Sequence, residues 1–242
     1  MGSGGQPVVT APLPTAVGFT HSFLVSYSYL IRSTRHLAQY LACNLLPDGY
    51  WFISTAVVPE GKDPVLIDAK LALLYSAHLP KEKQYRRSKA GHAKVKYVRC
   101  GRLCLLLATK GESPFFEREK WFDVRERNVS FGGYAIGVNR QSGKVCVRLH
   151  RETVNRLKRL CLEWATRRDV TEWEGWFWNL PFLPFEGVRD DVFSVLRFLN
   201  ACRKDMRHPP VEWRRCVRKR FTPEPVFLDS PPELLELLRW NR

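Results

Sequence analysis

Three apolar segments in the first half of the chain have the pattern of β-strands. Residues 50–58 (YWFISTAVV) are rich in aromatic and β-branched side chains and are bounded by glycine and proline, which is typical of a strand. Residues 95–99 and 103–109 predict two further strands that turn at Gly101. The second of this pair is apolar on both faces, so we expect it to be a central strand.

Three more strands are predicted before residue 150. The first is a short one at 121–125, and the others are the two arms of a hairpin, 130–138 (SFGGYAIGV) and 144–149 (KVCVRL). In the last arm every second residue is apolar, and the positions between include Lys144 and Arg148. Because side chains alternate between the faces of a strand, this sheet should be half-buried and basic on its other face.

Helical spacing appears on both sides of the first strand. Leu37 and Leu41 lie on one stripe, and Asp63 followed by Pro64 has the form of a helix N-cap with proline at the first helical position. Residues 81–94 carry charged and small residues without an apolar period. We therefore predict a loop there.

After residue 149 the pattern becomes helical. An apolar stripe runs along 154–164, Thr171 with Glu174 forms a capping box before a Trp-rich segment, and a further helix covers 192–199. Ser230 with Glu233 predicts the cap of a last helix, because the leucine-rich segment PPELLELLRW follows at once.

The order of elements predicts an α+β fold. It should have a central, mostly antiparallel sheet, an N-terminal helical segment and a helical C-terminal part. We divide the chain into a flexible N-terminal segment (1–19), an α+β nucleic-acid-binding core (20–150) and a helical C-terminal region with a basic tail (151–242).

The net charge of the chain indicates the kind of partner that it binds. The chain has 39 Lys and Arg against 24 Asp and Glu, a net charge of +15. Arginine predominates, and its planar guanidinium suits bidentate contact with phosphate. A polyanionic partner is expected, and we favour nucleic acid over an anionic membrane.

The basic residues cluster. Residues 81–102 hold nine Lys or Arg and one acid, residues 203–220 hold eight against two, and a third group runs from Arg148 to Arg159. Neighbouring aromatic side chains could stack on bases. The predicted nucleic-acid-binding residues are Tyr85, Arg86, Arg87, Lys89, His92, Lys94, Lys96, Tyr97, Arg99, Arg102, Lys144, Arg148, Arg151, Arg156, Arg159, Arg214, Arg215, Arg218, Lys219 and Arg220.

The cysteine and hydropathy patterns predict the location. Seven cysteines are scattered without CxxC spacing, which favours a reducing compartment and argues against a structural metal. The apolar run 23–31 is interrupted by serines and stops at Arg32, well short of the roughly 20 residues that span a bilayer. We expect a cytoplasmic protein with no membrane contact and no cofactor.

Catalytic candidates are few. Asp68 to Lys70 has the D-x-K form of restriction-type nucleases, but its surroundings predict a helix, whereas that chemistry needs a strand. His92 with Lys94 and Tyr97 could cleave RNA without a metal. Carboxylates that could converge on Mg²⁺ in a nuclease are Asp123, Asp190, Asp191, Glu117 and Glu119.

Two family resemblances follow from the strand segments. Residues 97–111 (YVRCGRLCLLLATKG), followed by 130–138, resemble the reverse-transcriptase palm. Gly101 and Arg102 stand in the turn where that family has aspartates, so polymerase chemistry is not implied. The order strand–helix–strand–strand with basic hairpins is similar to the ferredoxin-like RNA-binding proteins of CRISPR systems, although their C-terminal Gly-rich loop is not evident.

The hypothesis from the sequence is a basic nucleic-acid-binding protein. We expect an RNA-binding or ribonucleoprotein component of a bacterial mobile-element or defence system. The alternatives are a nuclease or endoribonuclease acting on RNA or DNA, and a protein-interaction subunit that docks through its Trp-rich helix, 171–180.

Overall fold

The first of two antiparallel sheets has four strands and is central to the fold. The computed structural model of the protein describes residues 28–166, 169–217 and 223–228. The strands of this sheet lie in the order β2-β3-β1-β4, and their bounds are β1 Phe52–Val57, β2 Val95–Cys100, β3 Leu103–Ala108 and β4 Phe122–Asp123.

Residues from both ends of the described chain cover the outer edge of β2. The Arg99 N–H donates to the Tyr29 carbonyl at 2.9 Å, and the Ile31 N–H donates to the Arg99 carbonyl at 2.7 Å. On the far side of this segment, the Leu228 N–H donates to the Leu30 carbonyl at 2.8 Å. The backbone groups of Arg99, which an edge strand would leave open, are therefore paired.

The second sheet has three strands and contains a turn that the sequence analysis missed. Its strands are β5 Val129–Phe131, β6 Tyr134–Val138 and β7 Val145–Leu149, paired in chain order. Segment 130–138 was expected to form one strand, but Gly132 and Gly133 have φ of 53° and 85°. Two successive positive φ values are those of a tight hairpin turn, so the segment folds back on itself.

Eight α-helices lie within the described residues, and none is long and apolar enough to cross a membrane. The first, α1, continues into a π-helical turn over Leu41–Leu45. The bounds are α1 Thr34–Tyr40, α2 Pro64–Leu74, α3 Lys81–Lys89, α4 Pro114–Arg118, α5 Arg151–Trp164, α6 Val170–Trp178, α7 Glu186–Asp205 and α8 Trp213–Cys216.

These elements confirm the α+β class and the helical C-terminal part. The Asp63 cap is also confirmed, because its carboxylate accepts from the Val65 N–H at 2.8 Å. The cap of α6 differs from the prediction: Asp169 accepts from the Thr171 N–H at 2.8 Å, so the helix begins before the expected capping box. Residues 1–19 and the predicted Ser230 cap lie outside the described residues.

Helix α3 corrects the prediction of a loop over residues 81–94. Its sequence, KEKQYRRSK, has no apolar stripe, yet lysine, arginine, glutamate and glutamine are good helix formers. Glu82 lies in the first turn, and Arg86, Arg87 and Lys89 lie in the last, which complements the helix dipole. The helix ends just before Gly91, whose φ is 91°.

The first sheet is buried on both faces, as predicted for its central strand. Leu105 and Leu107 of β3 belong to the larger hydrophobic core, whereas Leu106 and Ala108 belong to a smaller core on the opposite face. The larger core also includes the second sheet and helices α5 to α7, so it runs across residue 150. The smaller core packs α2 and Phe115 against the sheet.

A buried ion pair links α2 to the sheet. The Arg99 Nε donates to both Asp68 oxygens at 2.9 and 3.0 Å, and the Tyr97 hydroxyl donates to Asp68 Oδ1 at 2.5 Å. The Asp68 residue is completely buried. Arg99 also donates to the Gly101 carbonyl at 2.8 Å, and Tyr29 stacks on Tyr97 with ring centroids 5.8 Å apart.

This pair predicts a large loss of stability on truncation. Asp68→Ala leaves the Arg99 guanidinium buried without its counter-charge, and breaking a buried pair in this way costs about 3–5 kcal/mol. Urea unfolding should show this loss. Glu60→Ala is the control, because Glu60 is exposed and makes only a weak, solvent-accessible ion pair with Arg102, with the two atoms 3.5 Å apart. This substitution should change stability by less than about 0.5 kcal/mol. Equal effects of the two substitutions would contradict the assignment.

Candidate nucleic-acid interface

Helix α3 presents a dense positive charge to solvent. It carries Lys81, Lys83, Arg86, Arg87 and Lys89 against a single acid, and every one of its nine residues is exposed or half-buried. The Tyr85 side chain is 58% exposed. The Lys89 Nζ lies 4.9 Å from the centroid of that ring, so aromatic and cationic surface occur together on one helix.

The last turn of α3 has no local counter-charge. Among the described residues, no carboxylate lies within ion-pair distance of Arg86, Arg87 or Lys89. Like charges three or four residues apart on a helix repel one another. An anionic ligand would remove this repulsion, whereas folding alone leaves it in place.

A tightly built turn connects α3 to the sheet. The Ala93 N–H donates to the Glu112 carbonyl at 2.9 Å, and the Glu112 N–H donates to the Gly91 carbonyl at 3.0 Å. Gly111 has a φ of 141°, and a Cβ there would lie 2.5 Å from the Ala93 nitrogen, so only glycine fits. The helix therefore projects from a rigid base.

His92 and Lys94 lie in this base and are half-buried. The Lys94 backbone N–H donates to the Thr109 hydroxyl at 2.9 Å, and its ammonium group lies 5.6 Å from the Tyr50 ring centroid. The ammonium group of Lys94 is therefore placed over an aromatic side chain. His92 pairs its backbone with Glu112 in a parallel bridge.

Tyr97 and Arg99 are corrections to the predicted interface. Tyr97 is 0% exposed and Arg99 is 8% exposed, and both are bound to Asp68. A buried ring cannot stack on a base, and a guanidinium that neutralises a buried carboxylate cannot bind phosphate as well. The alternation of β2 places both side chains on the face that α2 covers.

Lys96 is half-buried on the opposite face of β2. Burial, and to a lesser degree the positive charge of Lys81, lowers the pKa of its ammonium group to about 8. A lysine that gives up its proton this readily is held in a poorly solvated environment. Lys96 is thus a weaker phosphate ligand than the exposed cations of α3.

The remaining predicted cations within the described residues fall into two groups. Arg102 donates to the Val58 carbonyl at 2.7 and 2.9 Å, Arg148 pairs with Asp191 at 2.5 Å, and Arg215 lies 3.7 Å from Glu174. Exposed cations with no carboxylate at ion-pair distance in the described parts of the chain are Lys144, Arg151, Arg156, Arg159 and Arg214. Arg218, Lys219 and Arg220 lie outside the described residues.

The candidate catalytic carboxylates are not brought together. Asp123 pairs with Arg125 at 2.5 Å, Asp191 pairs with Arg148, and Glu119 accepts from the Tyr75 hydroxyl. Arg125 lowers the pKa of Asp123 by hydrogen bonding to it. No group of three or more His, Cys, Asp or Glu residues suited to a metal is found in the ranges that the structure describes.

The two smaller catalytic patterns are also separated. Asp68 is buried against Arg99, whereas Lys70 on the same helix is exposed, so the D-x-K residues do not share a site. Tyr97 is buried and bound to Asp68, so it does not join His92 and Lys94 in an accessible cluster.

One aromatic residue outside the predicted set belongs to the basic surface. Trp213 begins α8 and is 48% exposed. The Arg214 guanidinium carbon lies 5.6 Å from its ring centroid. The sequence contains the signal, a tryptophan directly before two arginines, but a tryptophan is more often a core residue.

No protein-family model matches the chain, and no curated protein matches it. Only the chain's own residues therefore bear on its function.

The depressed pKa of Lys96 predicts a pH-dependent stability. Between pH 8 and 10.5 the unfolded chain binds this proton and the folded chain does not, so the free energy of unfolding should rise with pH in that window. Lys96→Met removes the group. The variant should gain stability over the parent at pH 7, and the gain should shrink as the pH rises towards 10.5. A pH-independent difference would show that Lys96 keeps its ordinary pKa of 10.5.

Proposed function

We propose that the protein binds nucleic acid, with single-stranded RNA favoured over duplex DNA. Helix α3 is the centre of the interface. The single observation that carries the proposal is the last turn of α3, where Arg86, Arg87 and Lys89 are exposed, adjacent and without a carboxylate partner among the described residues. Three cations without a carboxylate partner, on a helix that a tight turn joins to the sheet, are suited to bind the phosphates of one strand.

The expected binding chemistry is charge neutralisation with some stacking. Lysine and arginine side chains that contact phosphates release condensed counterions, which supplies most of the affinity for any sequence. The guanidinium groups of Arg86 and Arg87 can each bind a phosphate through two N–H groups. Tyr85 offers an exposed ring on the same helix, and an unpaired base can stack on it. This combination favours a single strand.

The exposed cations of β7, α5 and α8 extend the basic surface beyond α3. Arg151, Arg156 and Arg159 project from α5, whose opposite side packs into the core through Leu157 and Cys161. With a net charge of +15, the whole protein attracts a polyanion before any specific contact forms. We assign these residues a role in capture and α3 the role of close contact.

The cellular role is part of the same proposal. All seven cysteines are free, which suits a reducing cytoplasm. A small, strongly basic protein without a described catalytic cluster suits the role of an RNA-binding or ribonucleoprotein component. We propose a bacterial mobile-element or defence system as its setting, on the overall character of the chain.

A second candidate function is docking to a protein partner through α6. An open groove of about 520 Å³ is lined by Trp164, Trp173, Trp176 and Leu180. The Trp173 indole N–H is buried and has no hydrogen-bond acceptor in the described part of the protein. A buried donor without an acceptor costs about 1–3 kcal/mol, and the aromatic lining of the groove is of the kind that protein interfaces favour.

Charge removal on α3 tests the primary proposal. Arg86→Ala with Arg87→Ala should weaken binding to labelled single-stranded RNA by about tenfold at low salt, and by less at high salt. The slope of log affinity against log salt should become shallower by about 1.4, which is about 0.7 for each of two lost phosphate contacts on a single strand. Fluorescence anisotropy over a salt series measures both quantities.

The matched control removes the same charge elsewhere. Arg102→Ala with Arg125→Ala also lowers the net charge by two, but both arginines already pair with carboxylates. This variant should keep most of the affinity and nearly the parental slope. If the two double variants weaken binding equally, only the net charge matters and α3 is not the interface.

Incubation with Mg²⁺ and with EDTA tests the nuclease alternative. Because Asp123, Asp191 and Glu119 have separate partners, labelled RNA and DNA should remain intact under both conditions while they stay bound. Cleavage that requires Mg²⁺ and survives repeated purification would replace the binding proposal with a nuclease.

A further inference from the structure

A groove beside α7 differs from the rest of the basic surface because apolar and aromatic side chains form much of its lining. Its volume is about 610 Å³, and it lies between α7 and the segment that leads into α8. Leu196 and Val211 form an apolar base, and the ring of Phe193 meets Trp213 edge to face, with centroids 5.6 Å apart. This volume is within the range of small-molecule sites, and it can hold one nucleotide.

The structure holds the far wall of this groove in one conformation. The Asn200 side chain donates to the Val211 carbonyl at 3.0 Å and accepts from the Val211 N–H at 2.9 Å. The Arg203 side chain is fully buried and donates to the Pro209 carbonyl at 2.8 Å. Arg207 adopts a φ of 57°, which is unfavourable for a residue with a side chain. The two Asn200 bonds hold Val211, two residues before Trp213, against α7.

Charged side chains of both signs lie at the groove. Arg197 is exposed on α7 and lines the groove, and Arg214 lies against the Trp213 ring. Neither arginine has a carboxylate at ion-pair distance among the residues described. Asp190 and Glu212 also line the groove. These carboxylates repel phosphate, so Arg197 and Arg214 are the groups suited to bind it there.

We propose that this groove binds one nucleotide of a single strand, with its base stacked on Trp213 and its phosphate held by Arg197 and Arg214. The inference rests on the proposed function and names a second contact for the same ligand. A base in a duplex is already stacked on its neighbours and cannot lie on an indole ring. The groove therefore discriminates single strands from duplexes, which the charge of α3 alone does not do.

Substitution of Trp213 tests the stacking contact. Trp213→Ala should weaken binding of a labelled single-stranded RNA by about tenfold, because loss of one base–aromatic stack has about this effect. Binding of a blunt duplex of the same sequence should not change. Trp213→Phe keeps a ring and should retain most of the affinity. Anisotropy measures all three, and thermal unfolding of each variant checks the fold.

Two further variants keep the test informative if Trp213→Ala disturbs α8. Arg197→Gln leaves the apolar packing intact and should weaken single-strand binding and make the salt slope shallower by about 0.7. Trp121→Ala is the matched control, because Trp121 is exposed to a similar extent, 42%, and lies directly before β4. It should bind as the parent does.

The outcomes separate this inference from the proposed function. If Trp213→Ala weakens single-strand and duplex binding equally, or leaves both unchanged while the α3 variant still loses affinity, the groove is not a nucleotide site and the basic interface stands. If the parent protein binds neither RNA, both proposals are wrong. If Trp121→Ala loses affinity and Trp213→Ala does not, the base stacks on Trp121, and the proposed groove site is wrong.

Discussion

The buried pair between Asp68 and Arg99 is the interaction on which the rest of the structure depends. It joins α2 to β2, and the backbone of Arg99 in turn binds residues 29 and 31, which close the sheet edge. Charges in such an environment are stable only when they are paired and hydrogen-bonded. Tyr97 and the Gly101 carbonyl complete that set. Because α3 follows α2 and leads directly into β2, the same pair determines where the basic helix projects.

This arrangement divides the cations of the chain into two kinds. Arg99, Arg102, Arg125 and Arg148 have defined carboxylate or carbonyl partners and act within the protein. Arg86, Arg87 and Lys89 of α3 and the exposed arginines of α5 have no carboxylate at ion-pair distance in the described residues, and repulsion between such like charges opposes folding. A rigid core tolerates that repulsion because its stability comes from apolar burial on both faces of the first sheet. The unpaired set is therefore the part of the charge that is free to bind a ligand.

The sequence predicted elements whose signals are local and missed those that depend on distant contacts. The apolar run of β3 and the Asp63 cap were correct, because each is determined by neighbouring residues. Helix α3 was missed, since a helix exposed on all sides has no apolar period to detect. Arg99 looked like an interface residue because its partner lies 31 positions earlier. Trp213 was passed over because exposure of a tryptophan is a tertiary property.

The two parts of the proposed interface are complementary in kind. Long-range attraction by α3 and α5 accelerates encounter with any polyanion but distinguishes strands poorly. The Trp213 groove is lined by two acids, Asp190 and Glu212, so it attracts phosphate less strongly than α3 does and captures a ligand less efficiently alone. Once a strand is held on the basic surface, its local concentration at the groove is high, and a modest stacking energy is sufficient to select an unpaired base. The unpaired charge therefore supplies most of the affinity, and stacking, chiefly on Trp213, supplies the preference for a single strand.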